Sequence, residues 1–218
     1  MAGGRGALAS LAPLTHRLQR LHCTADNLIV VIDFDLTLTS GTSLECHDIV
    51  GKSLLMPAAV RTAFRPLLDF SKPFPPELEK GLWWERANEI LVQNRREIHP
   101  DTVKEASLAA SVALRPGAKE LLSTLNALGV PTLICSAGIT NIIQAVLEDA
   151  GVPHDSSTLT ISSNRLVFDK ELNIRAVEPS PPVTSYNKAQ TVERNRDWFN
   201  SACDAGGKTL LVIGDRIT

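Results

Sequence analysis

No apolar stretch of this sequence is long enough to span a bilayer as a helix, so no membrane partner is expected. There is no long basic run, and the formal net charge is only -2. Nucleic acid is therefore not expected as a partner. The four cysteines, Cys23, Cys46, Cys135 and Cys203, are scattered, and none forms a CxxC pair. That scatter fits a reduced intracellular protein. The stretch "ECHD" at residues 45–48 gathers four groups able to bind metal. A zinc site needs a second cluster at workable spacing, and the sequence has none. There is no internal repeat and no low-complexity segment. There is also no acid before Asp26, while Arg5, Arg17 and Arg20 are basic. Such a start resembles an organelle transit peptide. The recurrence of Leu11, Leu14, Leu18 and Leu21 at spacings of three and four favours an amphipathic helix that caps the domain.

The 218 residues suffice for one large domain, or for a core with a small second one. Three apolar runs read as buried strands: "LIVVI" at 28–32, "VPTLICS" at 130–136 and "TLLVIGD" at 209–215. Each stops at one small polar or acidic residue: Asp33, Ser136 and Asp215. Helical patterns, "GAKELLSTLNALG" and "NKAQTVERNRDWFNSAC", precede the second and third. "ITNIIQAVLEDAG" follows the second, with Gly151 as its stop. Alternating strands and helices predict an α/β fold with a parallel sheet covered on both faces. Ligands of such sheets sit at the carboxyl ends of the strands, so Asp33, Ser136 and Asp215 should share one rim.

Residues 41–115 are too many for a simple crossover. They hold helical stretches, "GLWWERANEILVQNRREI" and "PDTVKEASLAASVAL", broken by "SKPFPPE". A small helical cap is expected there, inserted above the rim of a core made by residues 1–40 and 116–218. "LTISSNRLVFDKELNIRAV" alternates around "SSN" and predicts a hairpin. "EPSPPV" then leads as a loop to Asn187 and Lys188.

Asp33 and Asp35 are two apart, so in extended backbone their side chains point to the same side. Adjacent carboxylates repel, and one protonates unless a cation sits between them. A hard divalent cation, Mg2+ by default, resolves the repulsion, and Asp215 adds a third oxygen ligand. Such a metal suits phosphate chemistry, because it lets a carboxylate approach an anionic phosphate. Carboxylate attack on phosphorus gives an aspartyl-phosphate. Ser136, where a strand turns into a helix, offers its hydroxyl and nearby free N–H groups to phosphate oxygens. Lys188 supplies fixed positive charge. Taken singly, each piece has an ordinary reading: a turn pair, an N-cap, a solvated lysine. Their order on three strand ends is what points to phosphate. "AGGKT" at 205–209 does not read as a P-loop, because it precedes a strand instead of opening a helix.

The four stretches "DFDLTLT", "CSAG", "NK" and "VIGD" resemble, in this order, the motifs of the haloacid dehalogenase (HAD) superfamily of phosphohydrolases. Within it the chain is similar to the cytosolic pyrimidine 5'-nucleotidase type III family. The stretches that carry this likeness are "DFDLTLT", "ECHDIV", "LWWERANEILVQN", "ICSAGI", "SYNK" and "LVIGDR". The resemblance implies a HAD-like, doubly wound parallel sheet (Rossmann-like) with the cap inserted after the first strand. It implies that Asp33 is the nucleophile and a metal ligand. Asp35 would be the general acid/base, with its backbone carbonyl on the metal, and Asp215 a further metal ligand. Ser136, Ala137 and Lys188 would bind phosphate. Thr37, matching the Thr of DxDxT, would brace that loop within the phosphate-binding set. The implied activity is Mg2+-dependent hydrolysis of nucleoside 5'-monophosphates, pyrimidine-type or 7-methylguanosine-type, through an aspartyl-phosphate. A small-molecule partner, a monomer and a cytoplasmic location are expected, with organelle import as the alternative.

Three positions depart from that family. A Glu that contacts the nucleoside is replaced by Leu82, and a substrate-contacting Ser of the cap falls on Ala110. An apolar residue cannot replace a carboxylate that hydrogen-bonds a sugar or base, which leaves base preference open. Ser107 and Ser111 are nearby candidates for the missing contact. The family's fourth motif runs on as GDxxxD, and the sequence stops at Thr218, one residue short of that second acid. A C-terminally incomplete core with a weakened metal site is therefore expected. Two alternatives stay open: a nucleotide- or phosphate-binding remnant without turnover, and a HAD phosphatase acting on phosphoserine or a sugar phosphate.

Overall fold

The computed structural model describes residues 24–71, 82–153, 157–203 and 209–215. The helix or transit segment expected around residues 11–21, and most of "SKPFPPE" and "AGGKT", lie outside the described residues. Strand β1 (Leu28–Ile32) is the hub. Ile29, Val30 and Ile32 are at most 2% exposed. A run this apolar is at home only with both faces covered. β1 pairs in parallel with β2 (Thr132–Ile139) on one side and with β5 (Thr209–Ile213) on the other. β2 pairs in parallel with β3 (Leu159–Phe168), and β4 (Ile174–Glu178) joins β3 antiparallel. The order β4-β3-β2-β1-β5 makes a mixed, mostly parallel sheet. This is the expected α/β architecture.

Between Thr39 and Leu114, whose backbones form an isolated antiparallel bridge, the regular structure is helical among the described residues. It comprises α1 (Cys46–Lys52), α2 (Ala58–Phe64), α3 (Leu82–Gln93) and α4 (Pro100–Ala109). The buried residues of α3, Ala87, Ile90 and Leu91, recur at helical spacing and define its inner stripe. Helix α5 (Ala118–Ala127) precedes β2, and α6 (Thr140–Asp149) joins β2 to β3. Helices α7 (Thr191–Arg194) and α8 (Arg196–Cys203) precede β5. α4 packs on α6 and α3 on β4. Val60, Phe64 and Ile90 of the helical segment share one hydrophobic cluster with Val30, Ile32 and Ile134 of the sheet. No helix among the described residues is long and apolar enough to cross a membrane.

Three elements differ from their sequence readings. β2 does not end at Ser136. It runs on to Ile139, with its register against β3 interrupted between Cys135 and Ile139. The β3–β4 hairpin exists, but "SSN" lies inside β3 and the chain reverses at residues 169–173. Ser163 and Asn164 are buried in the strand, where Ser163 Oγ meets Thr140 Oγ1 at 2.6 Å. Tertiary partners thus absorb the polarity that made this stretch read as a turn. The last helical pattern is broken at Asn195, whose side chain donates to Thr191 O at 2.8 Å and to Ser162 Oγ at 2.9 Å. An Asn that captures a local carbonyl competes with helix continuation.

Candidate active site

Asp33 is the first residue past β1. Its backbone N–H donates to Ile213 O at 2.9 Å, so the tips of β1 and β5 stay side by side. Its Oδ1 accepts the Phe34 N–H at 2.8 Å and lies 2.7 Å from Lys188 Nζ. The chain then makes one wide turn over Phe34–Leu38, closed by Thr39 N–H donating to Phe34 O at 3.1 Å. Inside it Leu36 adopts φ 58°, in the left-handed region that costs a non-glycine residue about 1 kcal/mol. Three donations hold it there. Leu36 N–H goes to Thr39 Oγ1 at 2.8 Å, Arg115 Nη2 to Leu36 O at 2.5 Å, and Arg115 Nε to Thr37 O at 3.0 Å. The hydroxyl tied into this turn is that of Thr39. Thr37 Oγ1 is buried with no hydrogen-bond partner among the described residues.

The turn delivers Asp35 to the N-terminus of α1, where its Oδ1 accepts the Cys46 N–H at 3.1 Å. Its carboxyl is pushed up to about 7, first by burial and then by the negative charge of Glu45. Gly138 of β2 lies directly against it. A Cβ there would come within 2.8 Å of Asp35 Oδ2 and 2.6 Å of Cys46 Sγ, so only glycine permits this approach. Ser136 is 1% exposed and its Oγ accepts the Gly138 N–H at 2.9 Å. Because Ile32 is level with Ile134, Ser136 lies on the same rim as Asp33, one strand over. It stands ahead of α6, which begins at Thr140, and not at the helix start itself. Ala137 follows in the irregular stretch, its carbonyl accepting Asn164 Nδ2 at 2.9 Å.

Lys188 opens a short 3-10 turn, and its neighbour Asn187 fixes the approach. Asn187 donates to Pro182 O at 2.8 Å and accepts the Thr184 N–H at 2.7 Å. Asp215 lies just beyond β5, two residues past Ile213, the residue level with Ile32. The structure therefore brings Asp33 and Lys188 into contact, sets Asp35 against Gly138, and puts Ser136 in one strand flanking β1 and Asp215 just past the end of the other. Sequence reasoning passed over Arg115, Thr39 and Asn164, whose effects are carried by long-range bonds. Gly138 was visible only as a letter in "CSAGI".

Three rings of the helical segment and one from the loop before Lys188 meet in sequence. His47, Trp83, Trp84 and Tyr186 form a chain of edge-on contacts, with centroids 4.8, 5.2 and 6.1 Å apart in turn. Leu82 is 43% exposed at the start of α3. Of the two serines near Ala110, Ser107 spends its hydroxyl on Val103 O at 2.7 Å, and Ser111 adopts φ 49° on the surface.

A model of the family described as Pyrimidine 5'-nucleotidase (UMPH-1) matches residues 43–218. This chain belongs to that family. It is 25% identical over 202 residues to a 7-methylguanosine phosphate-specific 5'-nucleotidase of Gallus gallus, covering 86% of this chain and 68% of the relative. The protein of the same description from Homo sapiens is 24% identical over 206 residues, covering 88% and 66%. The fold is similar to a crystal structure of cytosolic 5'-nucleotidase IIIB bound to cytidine, at TM-score 0.61 and 22% identity. That match covers 81% of this chain and 62% of the other. A substrate-bound phosphoserine phosphatase is similar at TM-score 0.51 and 13% identity, covering 85% of each chain. The fold of this family member is HAD-like. The chain spans about two-thirds of the length of the curated relatives it matches.

Proposed function

We propose that this chain is a Mg2+-dependent 5'-nucleotidase that cleaves nucleoside 5'-monophosphates by way of a phosphorylated Asp33. The observation that carries the reading is the 2.7 Å contact between Lys188 Nζ and Asp33 Oδ1 at the carboxyl edge of the sheet. A lysine held there orients the carboxylate and supplies positive charge for an incoming phosphate. Oδ1 is occupied by that ammonium and by the Phe34 N–H, and Oδ2, which makes no hydrogen bond among the described residues, is the oxygen left for attack. Attack forms the Oδ2–P bond and breaks the bond from phosphorus to the 5' oxygen. Asp35, with its carboxyl raised to about 7, hands its proton to the departing oxygen. It then takes a proton from the water that attacks phosphorus. The Oδ2–P bond breaks, inorganic phosphate leaves and Asp33 is restored. The Ser136 hydroxyl, the backbone at Ala137 and the unpartnered Thr37 hydroxyl hold the remaining phosphoryl oxygens.

For Mg2+ the chain offers the Asp33 carboxylate, the Asp35 backbone carbonyl and the Asp215 carboxylate. All are oxygens, which suits a hard cation that also keeps water ligands. Among the described residues no three His, Cys, Asp or Glu side chains gather closely enough to hold a metal, so the set is a mixed one. Bound there, the ion offsets charge on the phosphoryl oxygens.

The helices of residues 41–115 act in this reading as a cap over the core. A nucleoside is favoured because Trp84 of the cap meets Tyr186, which is two residues, or about 7 Å of chain, from Lys188. Flat rings there suit a base by stacking. Leu82 removes a carboxylate from the cap, which leaves shape and stacking to set base preference. We place the protein in the cytoplasm as a monomer.

The test is phosphate release by the chain, with and without Mg2+, from pyrimidine, purine and 7-methylguanosine monophosphates, phosphoserine and a sugar phosphate. Mg2+-dependent release, fastest from a nucleoside monophosphate, is the expected result. Preference for phosphoserine or the sugar phosphate would replace the reading, and no release from any of them would overturn it.

A further inference from the structure

Asn164 is a polar residue in the middle of β3, yet it is 0% exposed. A carboxamide shut away from water is costly unless its donors and acceptor are matched. Here they are. Nδ2 donates to Val183 O and to Ala137 O, each at 2.9 Å, and Oδ1 accepts the Val183 N–H at 2.8 Å. The pair of bonds to Val183 is cyclic, as between two backbone amides, and fixes the angle of that segment as well as its distance. The remaining Nδ2 hydrogen is spent on β2. One side chain is thereby bonded to two stretches of backbone that are remote in sequence.

Those stretches are the two on which the candidate site depends. Ala137 sits between Ser136 and Gly138, where β2 loses its register with β3. Val183 leads into the turn, stapled by Asn187, that sets Lys188 against Asp33. The interrupted register means that the β-ladder itself does not hold Ala137 in place. The contrast with the preceding residue is instructive: the Ser163 hydroxyl bonds Thr140 at the start of α6, and among the described residues it makes no hydrogen bond to either stretch.

Resting on the proposed phosphate site, we infer that Asn164 is a positioning residue that sets the Ser136–Ala137 stretch against the loop carrying Lys188. It acts through the backbones of Ala137 and Val183. Directional bonds are needed for this because misplacing a phosphate-binding group by 1 Å costs about 10²-fold in rate.

The experiment compares Asn164→Ala, Asn164→Asp and Ser163→Ala with the wild type. It reads kcat and KM for a nucleoside monophosphate with Mg2+, inhibition by orthovanadate, and thermal unfolding. Asn164→Ala is expected to lose about 10²-fold in kcat and to bind orthovanadate more weakly, at temperatures where it is fully folded. Asn164→Asp keeps the size and the acceptor for Val183 but loses donors, and should fall between; it carries the comparison if the alanine variant does not fold. Ser163→Ala should lower the unfolding temperature and leave kcat unchanged. A folded Asn164 variant within about twofold of wild type in both kcat and orthovanadate affinity would overturn the inference. If the wild type releases no phosphate, the nucleotidase reading fails on its own account. The inference is then decided by a crystal structure of the variant. A Lys188–Asp33 contact unmoved from 2.7 Å overturns it, and a separated pair upholds it.

Discussion

The ammonium of Lys188 lies 2.7 Å from Oδ1 of Asp33, joining a late loop to the tip of the first strand. Their side chains are 30% and 17% exposed. In so sheltered a place the lysine charge acts on phosphate more strongly than it would in water. Lys188→Met should therefore lower kcat about 10²- to 10³-fold. Partly exposed pairs add little stability, so the unfolding temperature should change little. Steady-state kinetics beside a thermal melt check this, and a folded variant with wild-type turnover would contradict it.

Gly138 is the tightest point of the site. Gly138→Ala would drive a methyl group into Cys46 Sγ and Asp35 Oδ2, at 2.6 and 2.8 Å. Overpacking of this kind costs about 1–3 kcal/mol, and Asp35 must move to relieve it. Loss of both stability and turnover is expected. Adding Cys46→Ala should restore part of the stability, because it removes the nearer clash; no recovery in the double variant would refute the contact.

Asp35 links stability to pH. Its folded carboxyl is raised from 3.8 to about 7, so the folded state holds a proton that the unfolded state has released. That contribution is fully present below about pH 4 and is lost as pH rises through about 7. In the absence of divalent cations, Asp35→Asn should stabilise the protein above pH 7, by on the order of 4 kcal/mol, and not below pH 4. Denaturant unfolding across that range is the measurement. An unchanged difference between variant and wild type at pH 3.5 and pH 8 would refute the shift.

His47 works in the opposite sense. Burial lowers it from 6.5 to about 4, and its Nε2 is buried without a hydrogen-bond partner among the described residues. The unfolded state takes a proton between those values while the folded state does not. Stability is thus complete above about pH 6.5 and declines as pH falls towards 4. His47→Phe keeps a ring against Trp83 and removes the titration. At pH 5 it should be more stable relative to wild type than at pH 7.5, by about 2 kcal/mol. The two residues slope in opposite directions, so the effect is read from variant-minus-wild-type differences. A difference that does not vary with pH would contradict it.

Much of this site was legible in the letters because strand ends announce themselves. "LIVVI" has no polar side chain, so its burial, and the exit of Asp33 at a rim, follow from the cost of exposing it. The same logic put Asp215 just past the tip of β5, whereas Ser136, read as a strand end, lies inside β2 three residues before it stops. Order along the chain then pointed to phosphate. What stayed hidden depends on partners far away in sequence. Leu36 looks like an ordinary apolar residue, yet Arg115 and Thr39 hold it at φ 58°. "SSN" has turn chemistry, but Thr140, Ala137 and Val183 satisfy it inside a strand. The continuation of β2 past Ser136 was equally hidden, because the break in its register is local and the apolar Ile139 resumes the strand.

The central claim is that Asp33 becomes phosphorylated, and it can be examined on the residue itself. The chain would be mixed with a nucleoside monophosphate and Mg2+, quenched during turnover with borohydride, digested, and its peptides weighed. Borohydride reduces an acyl phosphate to an alcohol and leaves a free carboxylate alone. The account predicts conversion of Asp33 to homoserine, dependent on both substrate and Mg2+, and absent from Asp33→Asn together with turnover. Phosphate release at full rate with Asp33 unmodified, or undiminished turnover by Asp33→Asn, would contradict it.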